Sequence, residues 1–305
     1  MMRKRLSVLL VMSLTAIMLL TGCGSSGSPD DTTTPETTKV PDVEVTTEAE
    51  TTADATTEDE TMETFKVGLE AGYAPFNWTQ MDDSNDGVKI DGNAEYAGGY
   101  DVEIAKKIAK GLGKELVIVK TEWDGLVPAL MSGKIDAIIA GMSPREDRKA
   151  TIDFTDNYYK SDLVMVVKNG GIYEGATSIK DFKGAKITAQ LNTFHYTVIE
   201  QIEGVAIQPA MDSFPAMRVA LESGIIDGYV SERPEGISAS AANDNFAFVD
   251  FTDGFVTSDD DTAIAVGIAK DSDLTDKINE ILAGISEEER TSIMDDAILN
   301  QPAAQ

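Results

Sequence analysis

Residues 126–141 read LVPALMSGKIDAIIAG, and this stretch decides the fold class. It predicts a short apolar helix over Leu126–Met131, a glycine stop at Gly133 and a strand over Ile135–Ala140. Within it, residues 132–139 (SGKIDAII) are echoed by residues 223–230 (SGIIDGYV), which also follow an apolar helix. Helix, glycine and strand follow one another in many α/β proteins, but the echo indicates two lobes of similar design.

The sequence around this stretch keeps the same alternation. Lys66–Glu70 and Leu116–Val119 are predicted strands, and Tyr100–Leu112 is a predicted helix with apolar residues at three- and four-residue spacing. Alternating strands and helices predict mostly parallel sheets flanked by helices. Ligands of such sheets bind beyond the carboxyl ends of strands, where the echo places Gly141 and Glu232. We therefore expect a binding cleft between the lobes.

Length and composition exclude several classes of function. The 305 residues suffice for two lobes of about 100 residues each. A net charge of -28 argues against a nucleic-acid partner, because phosphate is bound by cationic side chains. One Cys and one His leave no intrachain disulfide and make a Cys/His zinc site or nucleophile pair improbable. Residues 82–87 imitate the start of a calcium loop, but Asn93 stands where a glutamate is needed, so we predict no metal and no cofactor.

The first residues have the pattern of a secretion signal. Basic residues 3–5 precede the uncharged apolar run 6–20, which is shorter than the roughly 20 residues that a membrane-spanning helix needs. Leu20-Thr21-Gly22-Cys23 resembles the lipobox of bacterial lipoproteins, and an ordinary signal sequence is the alternative. The resemblance implies that residues 1–22 are removed and that Cys23 carries a lipid, including palmitate. The protein is then expected to be lipid-anchored to a cell membrane of Gram-positive type and to face outside.

Residues 23–64 are predicted to be a disordered tether. Residues 24–64 hold 13 Thr, 12 Asp or Glu and a single Lys, with no aromatic residue. So few apolar side chains cannot offset the entropy lost on ordering, and like charges extend the segment.

Residues 141–148, GMSPREDR, contain the strongest candidate for anion binding. Ser143 suits an N-cap, Pro144 the first helical turn and Glu146 a capping box, which predicts a helix that begins at the cleft. Helix amino termini bind anions, and Arg148 can hold a carboxylate with two hydrogen bonds. From the spacing alone, a well-capped surface helix with a solvated Arg148 is an equal alternative.

Five motifs together resemble one family, the polar amino acid-binding proteins of ABC importers. They are YAPF (73–76), GGYDVE (98–103), WDGLVPAL (123–130), the 141–148 segment and DFTDNYY (153–159). The resemblance spans about residues 65–288. It implies a two-lobed periplasmic-binding-protein-like (type II) fold that closes on a free amino acid and passes it to a permease. On this basis lobe 1 is residues 65–160 plus 266–305, lobe 2 is residues 164–262, and the hinges lie near 160–164 and 262–266.

The resemblance also implies residue roles. Arg148 binds the ligand α-carboxylate, Ser143 and the main chain over residues 140–142 contact its carboxylate and ammonium, and Glu232 replaces the usual aspartate on the ammonium. Phe194 replaces a threonine of the family and cannot donate a hydrogen bond. The predicted ligand-binding residues are Glu70, Tyr73, Phe76, Trp123, Ala140, Gly141, Met142, Ser143, Arg148, Gln190, Thr193, Phe194 and Glu232. His195 is interpreted as a bystander, because no partner for it is evident in the sequence.

The sequence favours a non-enzymatic, monomeric receptor for a cationic amino acid such as arginine or lysine. Glu70 would meet the ligand's charge, while Tyr73 and Trp123 would stack on the two faces of a guanidinium. A receptor for glutamine or another polar amino acid remains the alternative. So, less strongly, does an enzyme resembling the bilobal cyclohexadienyl dehydratases, since a fold alone does not fix function. A kinase sensor or a permease-fused receptor is disfavoured, because no segment after Cys23 is apolar enough to span a membrane.

Overall fold

The computed structural model describes residues 62–302. The signal peptide, Cys23 and nearly all of the tether therefore lie outside the described residues. The strands are β1 (Thr64–Leu69), β2 (Gly72–Tyr73), β3 (Asn77–Gln80), β4 (Val88–Lys89), β5 (Tyr96–Gly98), β6 (Glu115–Lys120), β7 (Ala137–Ile138), β8 (Asp153–Lys160), β9 (Leu163–Lys168), β10 (Lys186–Thr188), β11 (Ala206–Ile207), β12 (Gly228–Glu232), β13 (Phe246–Val249) and β14 (Ala263–Ile268). The α-helices are α1 (Tyr100–Leu112), α2 (Leu126–Met131), α3 (Glu146–Lys149), α4 (Phe194–Thr197), α5 (Phe214–Ser223), α6 (Arg233–Ala242), α7 (Asp259–Thr262), α8 (Leu274–Ala283) and α9 (Glu287–Asn300).

Two five-stranded sheets share one plan. The first sheet has the order β6-β1-β7-β14-β8 and the second has the order β11-β10-β12-β9-β13. In each sheet the three leading strands run parallel and the fourth, β14 or β9, runs antiparallel to both of its neighbours. The predicted α/β fold is confirmed, with sheets that are mixed, since two of the four strand pairings in each are antiparallel. The internal echo also has its structural counterpart, because β7 and β12 occupy the same place in their sheets.

Local sequence explains where the main elements begin and end. Helix α1 covers the predicted residues, and Gly113 ends it in the left-handed conformation at φ 67°, which costs glycine little. Helix α2 also has its predicted bounds. Strand β7 is shorter than the predicted 135–140, because the chain turns away from β1 before Gly141, whose φ is 63°.

The core joins the two sheets at the level of the predicted cleft. Apolar residues of the first sheet, such as Val67 and Ile138, belong to the same buried cluster as Phe214 and Tyr229, which lie around the second. One of the connecting contacts is the ring of Tyr73 on that of Phe214, with centroids 4.2 Å apart. Next to this contact are the carboxyl ends of β7 and β12, so the topology brings Gly141 and Glu232 toward each other.

The longest of the described helices, α9, has 14 residues. Within residues 62–302 no helix combines the length and the apolar character that crossing a membrane requires.

Candidate functional site

A small cavity lies between elements of the first and second sheets. Its free volume is about 10 Å³, which is room for about one water molecule. Eight of the predicted site residues line it, together with two that the sequence reading did not assign. The lining residues are Tyr73, Trp123, Gly141, Ser143, Arg148, Gln190, Thr193, Phe194, His195 and Phe214.

Arg148 reaches this cavity from α3 and bridges the elements of the two sheets. Its Nη1 donates to the main-chain oxygen of Ser143 and its Nη2 to that of Asn192, each at 3.0 Å. The guanidinium also lies over the Trp123 ring, 5.1 Å from the centroid. Burial, with a contribution from Arg145, lowers the pKa of Arg148 to about 10, so the group stays charged at neutral pH. Among residues 62–302 no carboxylate lies within 4.0 Å of it.

The predicted capping role of Ser143 is wrong. Helix α3 begins at Glu146, with Arg145 as an N-cap that makes no side-chain capping bond. Arg145 itself is extended at ψ 152°, and its N–H turns back onto the main-chain oxygen of Ser143 at 2.9 Å, so the chain before Glu146 is not helical. The Ser143 hydroxyl instead donates to the main-chain oxygen of Asp261 at 3.0 Å. Since α3 has only four residues, Arg148 rather than a helix terminus is the candidate for anion binding at this point.

Gly141 is needed where the chain leaves β7. A Cβ atom at this position would lie 2.7 Å from Cε1 of Tyr73, closer than real contacts allow. The Gly141 N–H donates to the Tyr158 hydroxyl at 3.2 Å, and that hydroxyl donates to Asp101 Oδ1 at 2.7 Å. Burial raises the pKa of Asp101 to about 6. This network holds the main chain at the carboxyl end of β7 against the cavity.

The proposed stacking of Tyr73 on a ligand is not supported by this arrangement. One face of the Tyr73 ring is covered by Phe76 (centroids 4.8 Å apart) and the other by Phe214 (4.2 Å). Stacking the three rings buries more apolar surface than leaving one face of the Tyr73 ring open to solvent would. One face of Trp123 is likewise covered by Arg148.

Glu232 ends β12 and is buried, with 2% of its surface exposed. Its Oε2 accepts a short hydrogen bond from the Tyr73 hydroxyl, and its Oε1 lies 2.9 Å from His195 Nε2. Burial alone would raise the pKa of Glu232, but the close contact with His195 and the hydrogen bond from Tyr73 outweigh it and lower the pKa below its ordinary value. The carboxylate is therefore ionised, and the pKa of Tyr73 is raised by burial and by Glu232.

Glu70 lies at the end of β1 behind the cavity wall. Gln190 Nε2 donates to both of its carboxylate oxygens, at 3.3 and 3.0 Å, and to the main-chain oxygen of Asp212 at 3.1 Å. Burial raises the pKa of Glu70 to about 7, and the charges of Glu122 and Asp124 add to the rise although the Gln190 bond opposes it. A positive charge brought near Glu70 would restore its ionised form.

The remaining predicted residues surround the cavity at different depths. Phe76 is fully buried behind Tyr73 and does not line the cavity, and Ala140 is also fully buried. Met142 lines a neighbouring, more open cavity of about 390 Å³, and its main-chain oxygen accepts a hydrogen bond from the Ala265 N–H at 3.1 Å. Thr193 donates to the main-chain oxygen of Gln190 at 2.7 Å, which shapes the loop before α4.

The sequence did not predict two of the residues that line the cavity, His195 and Phe214. His195 was interpreted as a bystander, yet it is 5% exposed and packs against Glu232 and the Phe194 ring. Phe214 begins α5 and covers Tyr73. No local pattern marks either residue, because each contact joins segments far apart in the chain.

The matches with known proteins agree with this geometry. Residues 65–298 match the family model of bacterial extracellular solute-binding proteins, family 3. A probable histidine-binding protein of Campylobacter jejuni is 34% identical over 201 residues, which are 65% of this chain and 72% of the relative. The arginine-binding extracellular protein ArtP of Bacillus subtilis is 30% identical over 221 residues, or 71% of this chain and 78% of the relative.

Solved structures share the fold as well. The amino acid ABC transporter substrate-binding protein AbpA of Streptococcus pneumoniae, bound to L-arginine, superposes with a TM-score of 0.66 at 25% identity. The superposition covers 77% of this chain and 94% of AbpA. The two-lobed architecture expected from the motifs is thereby confirmed.

Proposed function

The chain belongs to family 3 of the bacterial extracellular solute-binding proteins, and we propose that it captures a free α-amino acid and delivers it to an ABC importer. The observation that carries this proposal is that one small cavity has a positive charge, Arg148, in its wall and a negative charge, Glu232, behind its wall. The guanidinium has no carboxylate partner within 4.0 Å among the described residues. Glu232 is an ionised carboxylate that does not line the cavity itself but contacts Tyr73 and His195, which do.

These two charges match the two ends of an amino acid. A guanidinium binds a carboxylate with two parallel hydrogen bonds, and a buried carboxylate favours an ammonium group. Arg148 and Glu232 come from elements of different sheets, so a zwitterion held by both would join them. The related C. jejuni, B. subtilis and S. pneumoniae proteins, named for histidine, arginine and amino acid binding, support a ligand of this class.

The ligand that the site favours is a cationic amino acid such as arginine or lysine. Glu70 is buried and carries a raised pKa, and Glu122 and Asp124 add negative charge nearby. A ligand with a positive side chain would relieve this unfavourable burial by pairing with an ionised Glu70. A glutamine side chain could bond to Glu70 as Gln190 now does, so glutamine is the second candidate.

A thermal-shift panel of the twenty amino acids plus ornithine tests the ligand class. We expect the largest stabilisation from arginine or lysine, because binding to the folded state alone raises the melting temperature. The shift should grow as the pH rises through about 7, because only then is Glu70 ionised without a ligand. In Glu70→Gln the shift should shrink, whereas Glu203→Gln, an exposed surface variant paired with Lys183, should match the wild type.

The opposite ranking would reject the cationic preference. A dominant shift with glutamine, histidine or cystine and none with arginine is incompatible with it.

We further propose that the ligand is released chemically unchanged, so that the protein is a receptor rather than an enzyme. Recovery of a converted product after incubation with the bound amino acid would reject that part.

We propose that the protein works by closure of two lobes, residues 65–160 plus 266–305 and residues 164–262. A free volume of about 10 Å³ is too small for an amino acid, so binding requires the elements around the cavity to part. The two proposed hinges, near 160–164 and 262–266, lie side by side, because the Ser161 N–H donates to the main-chain oxygen of Thr262 at 3.0 Å. The second crossing overlaps the first residues of β14, which begins at Ala263.

We also propose that the protein is a monomer, held at the outer face of the cell membrane by a lipid on Cys23. The sequence before this residue supports the proposal through its basic start, its apolar run and its Leu-Thr-Gly-Cys ending. The acidic segment up to residue 64 would then keep the binding domain away from the anionic lipid surface.

The substitution Cys23→Ala tests the anchor in the full-length chain. We expect the variant to be released into the medium or to keep its signal peptide uncleaved, because the thiol that accepts the lipid is absent. Fractionation after an alkaline wash, with mass determination of the chain, measures both outcomes. A variant that is processed normally and stays as firmly bound to membranes as the wild type contradicts the proposal.

A further inference from the structure

His195 lies beside the carboxylate proposed to take the ligand ammonium. It is 5% exposed, lines the same cavity as Arg148, and places Nε2 2.9 Å from Glu232 Oε1. The contact is not a well-directed hydrogen bond, because neither ring nitrogen has a partner of good hydrogen-bond geometry among the described residues. A buried titratable ring at the binding cavity needs an account that the capture of an amino acid does not give.

The pair does not depend on the contact between the two sheets. His195 is in α4 and Glu232 ends β12, and these two elements pack against each other around the second sheet. By contrast, the Tyr73 hydroxyl that also bonds to Glu232 comes from β2, near the first sheet. If the two lobes part as proposed above, Tyr73 would leave Glu232 while His195 would stay beside it.

The charges around the pair favour one cation at a time. Glu232 is ionised, and the other charged or titratable groups near it are Tyr73, Asp101, Tyr159, Arg233, Glu235 and, across the cavity, Arg148. Histidine is the side-chain type that changes charge between about pH 5 and 8. An imidazolium at His195 would balance Glu232 in the free protein, and a second cation on the same buried carboxylate would be repelled by it.

We propose that the ligand ammonium replaces the proton of His195, so that each amino acid bound releases one proton from this ring. The inference rests on the proposed function, since it requires an ammonium group at Glu232. The proton leaves His195 for solvent, the ring stays in place as a neutral imidazole, and no covalent bond other than N–H changes. His195 is then a positioning residue that couples amino acid affinity to pH.

The sign of the coupling follows from proton counting. The bound protein holds one proton fewer than the free protein, so raising the pH favours binding. Where His195 is protonated in the free protein, affinity should rise about tenfold per pH unit, and the rise should stop once the ring is neutral. A protein with this property binds tightly in neutral surroundings and releases its ligand more readily in acidic ones.

Glu70 is a second source of protons that the experiment must separate. Its pKa is about 7, so a cationic ligand that ionises it also releases a proton. Calorimetric titration with L-arginine at pH 6, in two buffers of different ionisation enthalpy, counts the protons released. The informative comparison is Glu70→Gln against the double variant Glu70→Gln/His195→Gln, because Glu70 titrates in neither.

We expect about one proton per L-arginine in Glu70→Gln and none in the double variant, whose affinity should vary little between pH 5.5 and 8. His195→Gln alone should bind more tightly than the wild type at pH 5.5 and about equally at pH 8. Equal heats of Glu70→Gln in both buffers, or an unchanged pH dependence after loss of His195, would overturn the inference and leave the proposed function intact. Failure of every amino acid of the panel to bind would overturn both.

Discussion

Arg148→Ala should lower the affinity for the amino acid ligand at least 100-fold. Arg148 is half-buried in the ligand-free protein, and a bound ligand carboxylate would form a buried ion pair with it. Removing one partner of such a pair costs about 3–5 kcal/mol. Each 1.4 kcal/mol is a factor of about ten in the dissociation constant. Isothermal titration calorimetry with the amino acid that ranks first in the thermal-shift panel measures the change directly.

Two further variants show whether the loss belongs to the guanidinium. Arg148→Lys keeps the charge but not the planar pair of donors, so its affinity should fall between that of the wild type and that of the alanine variant. Arg145→Ala removes another arginine side chain three residues earlier in the sequence, one that pairs with Asp147 at 2.9 Å. Its binding should stay within threefold of the wild type. Near-normal binding by Arg148→Ala would refute the assignment.

Glu232→Gln should have the second-largest effect, a loss of about 10- to 150-fold in affinity. The amide keeps the shape of the side chain but removes the charge that would hold the ligand ammonium. A hydrogen bond to a charged group contributes about 1.5–3 kcal/mol, which converts to this range. The exposed Glu222 is a matched control, since Glu222→Gln changes the same net charge at a residue that does not line the cavity.

The same variant should change the acid stability of the ligand-free protein. The pKa of Glu232 is held below its ordinary value of 4.5. Its carboxylate therefore contributes stability above about pH 4.5 and loses it as the pH falls through the lowered pKa. Thermal unfolding should show Glu232→Gln to be less stable than the wild type near pH 6, with the difference shrinking toward pH 3. A constant difference across this range would mean that Glu232 is not ionised in the folded protein.

Much of the fold could be predicted because its determinants are local. Helix α1 is specified by apolar residues at three- and four-residue spacing and by Gly113, and the structure gives it the predicted bounds. The equivalence of β7 and β12 is visible in the sequence echo, and this alone predicted that Gly141 and Glu232 approach the same cleft. Hydrophobic periodicity and glycine placement are properties of short segments, so a single sequence reveals them.

The contacts within the site could not be predicted in the same way. That Phe214 covers Tyr73 and that His195 pairs with Glu232 depends on how segments far apart in the chain meet. The capping prediction at Ser143 failed for a related reason, because Asp261 competes for the hydroxyl from 118 residues away. Motif resemblance identified most of the residues lining the cavity, but it did not identify which side chains contact one another.

The central claim is that Arg148 and the carboxylate of an α-amino acid bind each other in this cavity. The most direct test is a calorimetric cycle that combines wild type and Arg148→Ala with L-arginine and with agmatine, which is arginine without its carboxylate. If the panel ranks another amino acid first, that amino acid and its decarboxylated amine are used. We predict that loss of the carboxylate weakens binding to the wild type at least 100-fold and binding to Arg148→Ala less than threefold. Equal affinity of the wild type for the amino acid and the amine would contradict the account.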